Sequence, residues 1–204
     1  MPNIYTDEVK LNIKTDLMNE ARHVIIRDGY NKLRIENLTK KVGIAQGTFY
    51  HFFKTKEALI LEMALSYQHD VDAHVKELIA HNGFITSDDF TRIYQNMFLS
   101  DENNIFRYLR RADIEHLISR LSVDIAQLYE ASQATMDFVL TNLKNPRKDV
   151  DKELIFNLIQ LLNLTIENKD LLIKNALEKT VTAIIHQMVS EIFESQETEE
   201  NHAI

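Results

Sequence analysis

The chain offers almost no place to turn sharply. Four glycines and two prolines in 204 residues leave too little turn chemistry for a succession of hairpins. Leu, Ile, Glu, Lys and Asn fill the long segments between them, and the apolar residues recur at helical rather than alternating spacing. An all-α fold is the expectation. The length allows a small module joined to a domain of ordinary size.

The first helix is legible in the stripe Ile13, Leu17, Ala21, Val24 and Ile25, which ends at Asp28-Gly29. After a connection from Tyr30 to Arg34, Leu38 and Val42 mark a second helix of about two turns closed by Gly43, and a third runs from Gln46 to Phe52. Thr55 is a suitable N-cap for a long helix carrying Leu59, Ile60, Met63, Tyr67, Val71, Val75 and Leu78 and stopping at Asn82-Gly83. Thr86-Ser-Asp-Asp89 has the form of a capping box ahead of Phe90, Ile93, Tyr94 and Met97. Ser100-Asp101 is expected to open one further segment through Ile105, Leu109, Ile114, Leu117 and Ile118. Another runs from Ser122 to Leu143 and is interrupted at Asn145-Pro146. The last two helices, Leu154 to Ile166 and Leu172 to Phe193, are apolar on almost every side, a pattern that calls for burial against both the chain's own core and a partner. The acidic tail from Glu194 reads as solvated.

Net charge is −8 overall, but the charge is unevenly placed. Residues 1 to 60 hold ten Lys/Arg against seven Asp/Glu, or +3, and residues 61 to 204 hold 13 against 24, or −11. Between Arg22 and Lys56 eight basic residues face two acidic ones, or +6. A basic module on an acidic body confines an electrostatic DNA footprint to one end. The chain has no cysteine, which removes disulfides and thiolate chemistry. Neither a signal-type run at Met1 to Lys14 nor a bilayer-length apolar run is present, so a cytoplasmic protein with no membrane association is expected.

Two short helices joined through one glycine, with apolar residues at Leu38, Val42, Ile44 and Phe49, have the spacing of a helix-turn-helix. Those four residues would face the module's core against the first helix, leaving Gln46, Gly47, Thr48, Tyr50 and His51 largely on the opposite surface, free to enter a groove of double-stranded DNA. Gly47 lets the backbone approach, and Gln46 can pair with the N6/N7 edge of adenine. Thr48, Tyr50 and Lys56 carry donors for phosphate oxygens, and His51 is open to a base or a phosphate.

The run Gly43-Ile-Ala-Gln-Gly-Thr-Phe-Tyr-His-Phe-Phe-Lys-Thr-Lys-Glu-Ala-Leu59 resembles the signature of the tetracycline-repressor (TetR) family of bacterial regulators, over about residues 10 to 60. From residue 61 onward the likeness is one of helix number and length. Two positions depart from the pattern. Ala45 stands at the recognition-helix N-cap where the family usually has Ser, removing a capping bond worth roughly 1 kcal/mol, and Thr39 replaces a customary Ala at the helix crossing. The resemblance implies a helix-turn-helix DNA-binding domain at 1–55 and a helical ligand-binding and dimerisation domain at 56–204. It also implies a homodimer formed through the last two helices, and a repressor released from a palindromic operator by an unidentified small-molecule effector.

For the effector, Tyr94, Phe98, Phe106, His116, Tyr129, Phe156, Gln160 and Asn163 place aromatic or polar groups among apolar helical positions, the mixture expected of a small-molecule cavity and equally of ordinary core packing. His69, Asp70, Asp72, His74 and His81 invite a metal reading, but the histidines miss the i, i+4 interval and no metal site is expected. No cofactor is expected either. A Gly-rich phosphate loop, His-Glu-x-x-His, Gly-x-Ser-x-Gly and a cysteine nucleophile are all missing, which counts against an enzyme. The remaining alternative is a helical ligand-binding or interaction protein that uses the same fold without sequence-specific DNA binding.

Overall fold

The computed structural model describes residues 6–100, 102–121 and 125–194, and the side chains of these except 125–132. Asp101, the expected Ser122 helix start and the tail beyond Glu194 lie outside the described residues. Among the described residues there are nine α-helices and no strand; the only extended pairing is two isolated bridges, Ile85 with Leu143 and Pro146 with Phe193. The chain is all-α, as its scarcity of turn residues requires. It forms two compact units, Met1–Val71 with Glu102–Leu128, and Asp72–Asp101 with Tyr129–Ile204.

In the first unit α1 (Asp7–Asp28) starts at Thr6, whose hydroxyl accepts from the Val9 N–H at 3.3 Å. It buries Ile13, Leu17, Ala21 and Ile25, the predicted stripe, with Val24 at its edge. Gly29 ends it at φ 84°. A 3₁₀ turn, Tyr30–Lys32, then tucks the Tyr30 ring into the core. Helix α2 (Ile35–Val42) closes at Gly43, which sits in the left-handed region at φ 78°, ψ 28°. There its N–H and that of Ile44 both return to the Thr39 carbonyl, the second at 2.9 Å. The Thr39 hydroxyl donates to the Ile35 and Glu36 carbonyls at 3.0 and 3.1 Å, so this polar side chain is satisfied within its own helix and packs as a small residue. Helix α3 (Gln46–Phe52) follows at once. Helix α4 (Lys56–Asn82) opens with the Thr55 hydroxyl accepting from Ala58 N–H at 3.1 Å, the expected cap.

The segment expected to run unbroken from Ser100 through Ile118 is divided. Residues Ile105–Tyr108 make a short 3₁₀ turn, Leu109 is extended, and a fresh helix begins only at Arg111. Two side chains impose the break. Asn104 accepts from the Phe106 N–H at 3.2 Å, and the buried Asp113 carboxylate accepts from the Arg110 N–H at 3.0 Å, opening the next two turns. The apolar periodicity carried no sign of these two caps.

The second unit holds α5 (Ser87–Gln95), whose capping box between Thr86 and Asp89 is formed as predicted, and a turn of π-helix at Asn96–Ser100. We number the helix Arg111–Leu121 of the first unit α6. Helices α7 (Ile125–Thr141), α8 (Lys152–Glu167) and α9 (Leu177–Ile192) complete the chain. Phe90, Tyr94 and Phe98, one helical turn apart, stack in sequence, with centroids 4.6 and 6.3 Å apart. They share a core with Ile155, Leu162, Val181, Ile185, Met188 and Ile192. Helix α9 starts at Leu177, later than the predicted Leu172. Ile173 is extended between two 3₁₀ turns, and Leu171 and Ile173 are exposed. Their apolar character does not report burial in this unit.

Gly43 has no neighbour within 4 Å of where a Cβ would stand, so only its backbone conformation resists substitution. Gly43→Ala is therefore expected to lower stability by about 1 kcal/mol, read as a lower urea midpoint at an unchanged slope.

Candidate nucleic-acid interface

The recognition surface is built on a helix with little stability of its own. Helix α3 spans seven residues, and Ala45 at its N-cap makes no side-chain hydrogen bond, as its methyl group requires. What fixes it is Phe49, fully buried, in edge contact with Tyr50 (5.5 Å, 88°) and tilted against Phe53 (5.7 Å). Leu38 is buried beside it, and Val42 and Ile44 pack at the margin of the same core. Gln46, Gly47 and His51 are left exposed, Thr48 half-buried, and Tyr50 50% exposed. A Cβ on Gly47 would meet no protein atom, so the protein's own packing does not demand glycine there.

Two open cavities flank α3. One, of about 600 Å³, is lined by Leu33, Arg34, Ile35, Glu36, Asn37, Gln46 and Lys56. The other, of about 550 Å³, is lined by Ile35, Tyr50, Lys54, Thr55, Lys56, Glu57, His116 and Arg120. Lys56 therefore belongs to both, and it joins Gln46 on one side to Tyr50 on the other. Its Nζ lies 4.3 Å from the centroid of the Tyr30 ring, a cation–π contact that steadies the charge without neutralising it.

Beneath Lys56 sits a polar knot. The Tyr30 hydroxyl donates to Glu57 Oε1 at 3.0 Å, and His116 Nε2 of α6 stands 3.6 Å from the same oxygen. Burial, with the Glu57 carboxylate next, raises the Tyr30 phenol far above its ordinary range, so it remains a donor. For Glu57, burial pushes upward, but its own backbone N–H, the Tyr30 hydroxyl and Thr55 outweigh it and hold the carboxyl below its ordinary value of 4.5. The knot ties the start of α4 to the turn after α1.

The eight residues read as an effector pocket divide between the two units. Tyr94 and Phe98 are buried in the core of the second unit, where the Tyr94 hydroxyl lies 3.9 Å from Met136 Sδ, and burial raises its phenol. Phe156 packs at the edge of that core, and Gln160 and Asn163 are half-buried on α8. Phe106 and His116 belong to the first unit, Phe106 exposed and His116 in the cavity with Tyr50. The Tyr129 side chain lies outside the described residues. Among the described residues no three acidic or imidazole side chains form a metal ligand set, and no helix is long and apolar enough to cross a membrane.

Three cations line these cavities that the motif alone does not single out: Arg34, Lys54 and Arg120. Arg34 and Lys54 lie within the basic stretch already counted. Arg120 is far along the sequence, and only the folding of α6 into the first unit brings it there.

A short helix braced through one buried aromatic, with an exposed Gln-Gly-Thr face and cations on both flanks, defines a helix-turn-helix DNA-binding protein. Residues 17–63 match the family model for bacterial regulatory proteins of the tetR family. Over those residues the chain carries a helix-turn-helix module similar to those of the tetR-family bacterial regulators. It is 22% identical over 143 residues to the Transposon Tn10 TetC protein of Escherichia coli, covering 63% of this chain and 73% of that protein. It is 32% identical over 72 residues to the HTH-type transcriptional regulator UidR of Escherichia coli strain K12, covering 35% of this chain and 37% of UidR. That second likeness spans little more than a third of either chain. In fold it is similar to the transcriptional regulator FadR from Bacillus subtilis, solved in complex with stearoyl-CoA, with a TM-score of 0.59 at 17% identity over 87% of this chain and 98% of FadR.

Because the folded carboxyl titrates below its ordinary value, the contribution of Glu57 to stability is present above pH 4.5 and is lost as pH falls through the lower folded value. In urea titrations Glu57→Gln should thus lie below the wild type at pH 7, with the gap narrowing as the pH is taken towards 3. A gap that stays constant with pH would rule the ionised carboxylate out as its source.

Proposed function

We propose that the chain is a homodimeric repressor that reads a palindromic operator through α3 and is released from it by a small molecule. In this reading residues 1–55 are the DNA-binding domain and 56–204 the ligand-binding and dimerisation domain of a cytoplasmic protein. The observation that carries the DNA contacts is the shared position of Lys56, which lines one cavity with Gln46 and the other with Tyr50. Gln46 then reads a base edge with Gly47 allowing close approach, and Thr48, Tyr50, Lys56 and Arg34 hold phosphates that fix the register. His51, exposed on the same face, contacts the DNA beside them.

Support for the dimer comes from the outward side of α8. Ile155, Leu162 and Ile166 are buried in the unit's core, while Leu161 and Leu164 are 47% and 52% exposed on a helix apolar on both faces. In this reading a second copy covers that face, and operator binding requires the two recognition helices to stand about 34–36 Å apart, the spacing of successive major grooves on one side of B-DNA. The effector in this reading sits among Tyr94, Phe98, Phe156, Gln160 and Asn163 and acts by binding better to the state with the wrong spacing.

Binding of the duplex upstream of the protein's own gene, compared with random duplex at two salt concentrations, tests the DNA reading. Tyr50→Ala and Lys56→Ala should each weaken specific binding several-fold, and the lysine change should lower the salt slope by about 0.9. Equal affinity for both duplexes in the wild type would leave the fold intact and defeat the repressor. For the dimer, the double change Leu161→Asp with Leu164→Asp should halve the mass measured by light scattering while helical circular dichroism is retained. Undiminished mass would move the interface elsewhere.

A further inference from the structure

We propose that Arg120, on α6 and outside the helix-turn-helix, is a DNA-phosphate contact, extending the DNA-binding surface of this regulator to a helix that the motif does not include. The inference rests on the DNA-binding reading given above. Arg120 lines the same cavity as Tyr50, Lys54 and Lys56 and is exposed in it.

Its want of an ion pair distinguishes Arg120 from most of the described arginines, though not from Arg22, which donates to Asn19 instead. Arg27, Arg92, Arg110, Arg111 and Arg147 are each in an ion pair with a carboxylate, respectively Asp28, Asp89, Asp113, Glu115 and Asp149. Arg34 and Arg120, which line the two cavities flanking α3, are in no ion pair among the described residues. Among the described residues the one carboxylate lining Arg120's cavity is that of Glu57, and it already accepts from the Tyr30 hydroxyl and faces His116. The described lining residues, with Lys54, Lys56 and Arg120 against Glu57, therefore carry an excess of two permanent positive charges. An open cationic recess beside the tyrosine and lysine of a DNA-reading helix fits a backbone phosphate, and an unpaired guanidinium offers it a two-pronged donor. Such a contact strengthens binding without reading sequence.

The full-length protein is titrated onto fluorescent duplexes, its own upstream region and a random sequence of equal length, over a series of salt concentrations. Arg120→Ala should weaken binding to both by the same factor, roughly three- to tenfold, and lower the salt slope by about 0.9, the loss of one phosphate contact. Arg120→Lys should restore most of the slope. Lys148→Ala, an exposed charge in the second unit, controls for net charge and should leave the slope unchanged. Unchanged affinity and slope for Arg120→Ala overturns the inference. So does a loss confined to the upstream duplex, which would make Arg120 a determinant of sequence. If Arg120→Ala unfolds, Arg120→Gln is used with the same criteria. A wild type that binds both duplexes equally removes the sequence-specific repressor but leaves this contact standing on its salt slope.

Discussion

The burial of Phe49 is the contact on which the exposed face of α3 depends. Helix α3 is two turns long and lacks a side-chain cap, so it lies well below the length at which a helix persists alone in water. A Ser at position 45 would contribute roughly 1 kcal/mol; burying one phenylalanine contributes about 1.5–3 kcal/mol. The aromatic therefore outweighs the missing cap. It also supplies orientation, since a single face of α3 must lie on Leu38 and the α1 stripe for Gln46, Gly47 and Tyr50 to point outward. A cap would secure the helix without fixing that rotation.

The knot around Glu57 makes a second demand of the same kind. Lys56 belongs to both flanking cavities, and its neighbour Glu57 would neutralise it if its carboxylate were free to swing over. The Tyr30 hydroxyl holds that carboxylate from below, while the Tyr30 ring lies under the Lys56 ammonium. One buried tyrosine thus contacts both an acid and a base adjacent in sequence, its hydroxyl bound to the first and its ring to the second.

Much of this was legible before any coordinates. Local rules located α1 to α4 and the start of α5, because each boundary carries its own chemistry: Gly29 and Gly43 at helix ends, Thr55 and the Thr86–Asp89 box at starts. Sequence reasoning failed where a cap lies inside an apolar pattern, as at Asn104 and Asp113, or where apolar residues are exposed, as at Leu171 and Ile173. Gln46, Tyr50 and Lys56 come to adjoining cavities because they lie within one short motif. Tyr94 and His116 share a residue class, and residue type does not say which unit a helix joins.

Formal charge has the same weakness at finer scale. The excess of +6 between Arg22 and Lys56 counts every cation alike, yet Arg27 is held by Asp28 and Arg22 donates to Asn19. The cations left for an anion are those set around α2 and α3, among them Arg34, Lys54 and Lys56, with Arg120 brought in from α6. Lys40 and Lys41 stand exposed at the C-terminal end of α2, where they also oppose the negative end of its dipole. Folding has concentrated the charge at the surface where a polyanion would lie, although the chain as a whole is negative.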